Sequence, residues 1–398
     1  MRDGFKIIDS DIHVIEPSDL YERYLDKRYL PHAPTYVTGP EQRTRHNWLL
    51  EMPGREERIP QINLGEGFRS VREDQLGDTL DDAIEDDYGP NSTLRAMDLE
   101  GVDIAAVFRT WAQGHVSIDG LDPQFANALY RAYNNWLADF CSTDPGRLKG
   151  VALISLHDID LAVKEVRRAV NELGMVGVTL EPNPLNGRFF HDPECDPLWN
   201  ECQELNVPVC FHDTNVGYNA SHHANFMRAH PNPGVMGNTF AFPTGLQQAI
   251  GSLTLGGVFD RFPSLRAAFL EGNFSWVPWL LWRLDEQWEL YGGGEDVMLK
   301  KNPSEYFLSQ CVLSCEAGES IAKHAFAAIG NDNVVLSTDF PHLDSPFPHA
   351  IETFLGLPDI SDETKRKALW DNCVWLYALN GPDLEATIKR TGANALVS

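Results

Sequence analysis

Basic side chains are in short supply in this sequence. Lys and Arg number 32 against 58 Asp and Glu, a formal net charge of −26 with histidine neutral. A nucleic-acid partner needs a basic footprint, so that class is excluded. An anionic membrane surface is disfavoured for the same reason. No run of about 18 apolar residues occurs, the length that a membrane-crossing helix requires. Cysteine is also sparse, with seven in 398 residues, an odd number without CxxC spacing. A disulfide framework is therefore not expected, and buried free thiols in a reducing cytoplasm are. The opening MRDGFKIIDSDIH lacks the apolar stretch of a signal peptide, which again points to a cytoplasmic protein. Internal repeats and low-complexity tracts are missing too.

What is present is an alternation of strand and helix patterns. Hydrophobic residues make up 43% of the chain, enough to bury a sizeable core. Eight short apolar runs read as strands: Phe5–Ile8, Val102–Phe108, Leu148–Ile154, Val176–Leu180, Val207–Phe211, Arg266–Leu270, Cys311–Leu313 and Val334–Ser337. Near-continuous apolar character is expected of parallel strands buried on both faces. Helical patterns lie between or beyond them at Pro123–Ser142, Asp160–Leu173, Pro197–Leu205, Thr244–Phe259, Trp276–Leu290, Glu319–Ala328 and Ser361–Leu379. In Asp160–Leu173, Leu161, Val163, Val166, Ala169, Val170 and Leu173 are apolar, while Lys164, Glu165, Arg167 and Arg168 are charged. Eight βα units predict an α/β protein with a (β/α)8 TIM-like barrel, one domain over residues 1–398. Two long polar stretches, about 20–95 and 213–243, follow predicted strand ends and are read as lids.

The chemistry is expected at the strand ends, which share one mouth in such a barrel. The first strand runs into Asp9-Ser10-Asp11-Ile12-His13, and Asp11 and His13, two apart, share one face of an extended chain. The fourth run leads into Glu181, the fifth into His212 and the sixth into Glu271. The eighth runs into Asp339, with His342 three residues on. A lone histidine of this kind is more often a satisfied core residue than a ligand. Five strand ends that each carry a metal-competent side chain are better explained by a metal centre. The stretch after the fifth strand adds His222 and His223, candidate ligands from a lid, and His230 beyond them.

Four segments in order, DSDIHVIEP, PVCFHD, FPSLRAAFLEGNFSWVPWLLWRLDE and LSTDFPHLDS, resemble the amidohydrolase-related metal barrels. That group includes aromatic-acid and aminocarboxymuconate-semialdehyde-type decarboxylases and C–C hydrolases. The resemblance implies metal ligation by Asp11, His13, His212 and Asp339, a small-molecule substrate and a homodimer. Two departures stand out. Typical members carry Arg in the segment that here reads Gly177-Val178-Thr179-Leu180-Glu181, and Glu181 stands where the wider superfamily places a residue bridging two metals. The decarboxylases carry a catalytic His near the end of the sixth strand, where this chain has Glu271.

Asp11, His13, Glu181, His212, Glu271 and Asp339, with His222 or His223, suffice for two metals, and the set is rich in oxygen. With Glu181 and the loop histidines the chain is similar to the non-haem di-iron monooxygenases of platensimycin and platencin-type diterpenoid biosynthesis. That resemblance implies two Fe, O2 and an external reductant. The expected reaction is hydroxylation of a C–H bond in a bulky, diterpenoid-like substrate, carried as an acyl-CoA. The alternative is a single Zn or Mn on Asp11, His13, His212 and Asp339. There Glu271 acts as acid or base, His342 handles protons and Glu181 pairs with an arginine such as Arg109, giving decarboxylation or hydrolysis.

Overall fold

In a computed structural model the described residues are 1–37, 47–49, 79–212, 233–292, 298–342 and 345–380. Eight parallel strands follow one another around a single sheet: β1 (Ile8–His13), β2 (Ile104–Phe108), β3 (Leu148–Leu153), β4 (Gly177–Leu180), β5 (Val209–His212), β6 (Ala267–Leu270), β7 (Cys311–Glu316) and β8 (Val334–Ser337). Each pairs in parallel with the next. The two edges meet through side chains: Ser10 Oγ donates to the Leu336 carbonyl at 2.8 Å, and Ser337 Oγ to the Asp11 carbonyl at 3.0 Å. The sheet thus returns on itself as the expected (β/α)8 barrel.

Strand periodicity sorts the side chains into two layers. Ile104, Ala106 and Phe108 share one buried cluster with Ile8, Val151, Ala268, Leu270, Val312 and Val335. The alternating Ala105 and Val107 belong to the cluster that packs under the helices. Those helices begin where capping chemistry permits. Pro123–Cys141 starts with Pro at its first position, and the Asp122 carboxylate accepts from Phe125 N–H at 2.9 Å. Ile159–Asn171 is capped by Asp158 and buries Val166 and Ala169 as its sequence spacing predicts, but also Ala162 and Glu165, the carboxylate of Glu165 being held by Arg131 and Arg168 at 2.8 and 2.7 Å. Phe211 and Phe269 are fully buried and stack at 5.3 Å between strands β5 and β6. Truncating such a ring costs about 3–5 kcal/mol.

Some boundaries differ from the sequence reading, for identifiable reasons. Strand β1 starts at Ile8 and runs on through Asp11 to His13, because β2 continues to pair with it as far as Phe108. All six of its residues are buried although three are charged or titratable, a pattern that hydrophobic periodicity cannot flag. Strand β7 extends past Leu313 to Glu316. In the 20–95 stretch, the described part holds short helices at Leu20–Tyr24 and Asp81–Glu85 and a two-stranded hairpin of Thr35–Val37 with Asn47–Leu49. Leu80, Ala83, Tyr88 and Ala96 pack with Ile15, Phe340 and Phe347, so this stretch is anchored beside the ends of β1 and β8. Residues 213–232, with His222, His223 and His230, lie outside the described residues. The end of the second stretch belongs to a helix, Pro233–Leu255. All seven cysteines are buried and free. No helix among the described residues is long and apolar enough to cross a membrane.

Candidate metal centre

Asp11 and His13 sit on one face of β1 and are essentially inaccessible. His212 is the last residue of β5. Glu271 and Asp339 come just after β6 and β8, and both have left-handed backbones with φ of 58°. That conformation is uncommon for residues other than glycine and clusters at functional sites. It is held locally: Glu271 N–H donates to Ser314 Oγ at 2.8 Å, and Asp339 N–H to the Asp11 carbonyl at 3.3 Å.

These side chains converge. His13 Nε2 lies 3.4 Å from Asp11 Oδ1, 3.3 Å from Asp339 Oδ1 and 3.1 Å from His212 Nε2. His212 Nε2 is 3.1 Å from Asp11 Oδ2 and 3.1 Å from Glu271 Oε2. His342 stacks on His13 with ring centroids 4.0 Å apart, and its Nδ1 is 2.8 Å from Asp339 Oδ1. The ligand atoms form two groups that share His13, each with all atoms within 4.8 Å of one another: Asp11, His13 and His212, and His13, Glu271, Asp339 and His342.

Electrostatics show what this arrangement needs. His13 Nδ1 lies 2.7 Å from the Arg109 carbonyl oxygen, so Nδ1 carries the hydrogen. Burial, with His342, His212 and Arg109 nearby, holds the His13 pKa well below the ordinary range, so the ring is neutral. Its Nε2 lone pair therefore faces two carboxylate oxygens. Both Asp11 oxygens are buried without a hydrogen-bond donor, and burial pushes its pKa well above the ordinary range, against the opposing charge of Arg109. A hydrogen on His212 Nε2 would satisfy only one of the acceptors around it. Buried acceptors that no donor meets, as on Asp11, are costly in a dry interior. A divalent cation resolves the conflict, and mixed imidazole and carboxylate donors suit zinc, manganese or iron. The residues fit a metal.

The other candidates fall as follows. Glu181 is buried at the end of β4 but belongs to neither donor group; it lines a small cleft with Gln113, Ser117, Ser155 and Asn183. Arg109 is buried, donating to the His212 carbonyl at 2.7 Å and to Gln113 Oε1 at 3.2 Å. Two contributors were not anticipated. Thr110 Oγ1 lies 3.0 Å from His342 Nε2, and Ser314 supports Glu271. Their position directly beyond or within a barrel strand was the available signal.

A parallel barrel with buried carboxylates and imidazoles gathered at the ends of its strands defines a metal-dependent barrel enzyme. The amidohydrolase family profile matches residues 8–379, and the chain belongs to that family. The 2-amino-3-carboxymuconate-6-semialdehyde decarboxylase of Dictyostelium discoideum is 26% identical over 302 residues, 74% of this chain and 77% of that protein. The gamma-resorcylate decarboxylase of Polaromonas sp. is 28% identical over 268 residues, 65% of this chain and 79% of that one. An amidohydrolase structure from Mycobacterium avium subsp. paratuberculosis superposes with a TM-score of 0.74 at 22% identity, covering 94% of this chain and 98% of that one. A dihydroxybenzoic acid decarboxylase from Polaromonas sp., solved with bound manganese and the inhibitor 2-nitroresorcinol, gives 0.61 at 20% identity, covering 96% and 98%.

These relatives correct the oxygenase expectation. The two curated relatives, and the manganese-bound structure, are decarboxylases, and decarboxylation takes up neither O2 nor electrons, so an O2-dependent monooxygenase with an external reductant is overturned. The two-iron site and the diterpenoid substrate have no support either. Physically, a count of candidate ligands carries no distances around the barrel. Glu181, the intended bridge, lies in neither donor group.

Proposed function

We propose that this protein is a divalent-metal-dependent decarboxylase that acts without redox chemistry on a small unsaturated or aromatic carboxylic acid. The observation that carries the reading is Asp11, buried with two donorless oxygens against the Nε2 atoms of His13 and His212. Asp11, His13, His212 and Asp339 would hold one metal, manganese or zinc. When bound, the cation would supply Lewis acidity toward a substrate oxygen.

The chain's own residues account for the rest. Loss of CO2 breaks a carbon–carbon bond, leaves its electron pair on carbon and requires one proton there. Glu271 and His342 are the site groups with partly accessible side chains, 14% and 20%, while His13 and His212 are enclosed. Glu271, beside His212, is assigned the proton transfer. His342, between Asp339 and Thr110, holds a second proton at the mouth. Arg109 fixes the His212 backbone and biases Asp11 toward its ionised form. The homodimer belongs to this reading, and Trp279 and Trp282, each more than half exposed on one helix, offer apolar surface for it. Seven unpaired buried thiols fit a reducing compartment.

The test is CO2 release from gamma-resorcylate and from 2-amino-3-carboxymuconate-6-semialdehyde, with manganese-loaded and EDTA-treated protein under argon. Release that EDTA abolishes and Mn²⁺ restores supports the reading. Turnover that requires O2 would overturn it.

A further inference from the structure

The carboxylate of Glu16, in the DSDIHVIEP segment, has no part in the chemistry above. It is 2% exposed and lies three residues beyond the end of β1. Its Oε1 accepts from Thr110 N–H at 3.1 Å, Trp111 N–H at 3.1 Å and Ala112 N–H at 2.9 Å, and Oε2 accepts from Trp111 N–H at 3.0 Å. One buried side chain therefore receives three consecutive amides of the segment that follows β2. A buried side-chain oxygen that accepts several consecutive amide hydrogens fixes a loop, because each of those N–H groups would otherwise be buried without a partner.

That segment touches three site histidines. The Arg109 carbonyl takes the His13 Nδ1 hydrogen at 2.7 Å, which leaves Nε2 as the lone pair in the centre. The Arg109 guanidinium holds the His212 carbonyl at 2.7 Å, and Thr110 Oγ1 meets His342 Nε2 at 3.0 Å. Outer partners of metal-ligating histidines set tautomer and orientation, and removing them lowers metal affinity about 10–100-fold. We infer that Glu16 is a positioning residue: by clamping residues 110–112 it sets the His13 tautomer and the facing of all three histidines. This inference rests on the metal-dependent reading above, but its structural half concerns the metal-free protein.

Reach, not charge, is the relevant property. Glu16→Gln keeps the Oε1 that accepts three of the four bonds. Glu16→Asp keeps the charge and withdraws the carboxylate by one methylene. Glu16→Ala removes the clamp. The expected order of Mn²⁺ affinity, by titration of the metal-free full chain, is wild type and Glu16→Gln within about threefold of each other, with Glu16→Asp and Glu16→Ala about 10–100-fold weaker. The control is Glu100→Ala, which removes another buried carboxylate from two backbone amides, those of Ala350 and Ile351, away from the centre. It should lower the melting temperature and leave Mn²⁺ affinity unchanged.

In parallel, ¹⁵N shifts of the histidine rings report the His13 tautomer without metal. Nδ1–H should dominate in wild type and Glu16→Gln and become mixed in Glu16→Asp and Glu16→Ala. Retention of the Nδ1–H form in both damaged variants would overturn the inference. So would Mn²⁺ affinity following charge, with Glu16→Asp at wild-type level and Glu16→Gln weak. A wild-type protein that binds no Mn²⁺ would remove the metal reading and leave the tautomer experiment to decide the role of Glu16.

Discussion

Replacing Asp11 with Asn should stabilise the metal-free protein while abolishing metal binding. In the folded chain both Asp11 oxygens are buried without donors, and the lone pair of His13 Nε2 lies 3.4 Å from one of them. An unsatisfied buried polar group costs about 1–3 kcal/mol, and more when charged. An asparagine brings two N–H donors to the same place, so the metal-free variant should gain about 1–3 kcal/mol. With about 2–4 °C per kcal/mol for domains of 150–250 residues, and less for a longer chain, the melting temperature should rise by about 2–5 °C. The gain depends on pH in a definite direction. Burial raises the Asp11 pKa well above its ordinary value, so this group's contribution to folding is intact below the ordinary carboxylate range and is lost as pH rises toward the raised value. The advantage of Asp11→Asn must therefore widen with increasing pH. Excess Mn²⁺ should reverse the ranking, since a ligand at about 1,000 times its Kd adds about 4.1 kcal/mol to the wild type alone. Thermal unfolding in EDTA and in Mn²⁺ at several pH values reads all of this. A variant less stable than wild type in EDTA at every pH, or one that keeps the Mn²⁺ shift, would refute the reasoning.

Glu271→Gln should lower kcat about 10²–10⁴-fold with Mn²⁺ binding retained, and an unchanged kcat would remove Glu271 from the proton transfer. Metal affinity should rise with pH through deprotonation of the Asp11 carboxyl, read by Mn²⁺ titration at several pH values, and His13 adds nothing to that rise because burial already keeps it neutral. An affinity that does not change with pH would contradict that assignment. Glu181→Ala should leave metal content at one ion per chain, measured by elemental analysis, and loss of metal would restore Glu181 as a ligand.

The barrel was legible because parallel strands buried on both faces appear as short apolar runs, as in Ala267–Leu270 and Val334–Ser337. The gathering of Asp11, His13, His212, Glu271 and Asp339 was legible too, since each sits on or just beyond a strand end and a barrel sends those ends to one mouth. The extent of β1 was not, because its last residues are polar and buried, and backbone pairing with β2 determines where it stops. The left-handed conformations of Glu271 and Asp339 depend on partners far away in the chain, such as Ser314 and the Asp11 carbonyl. The number of metals required distances around the barrel that spacing along the chain does not contain. Thr110 meets the His342 ring across the barrel, a partner that its place just beyond a strand end does not specify.

The single-metal centre is the central claim, and anomalous diffraction at the manganese edge from crystals grown with Mn²⁺ tests it most directly. One peak per chain is predicted, bounded by Asp11, His13, His212 and Asp339. Two peaks with the Glu181 carboxylate between them, or one peak away from these four residues, would contradict it.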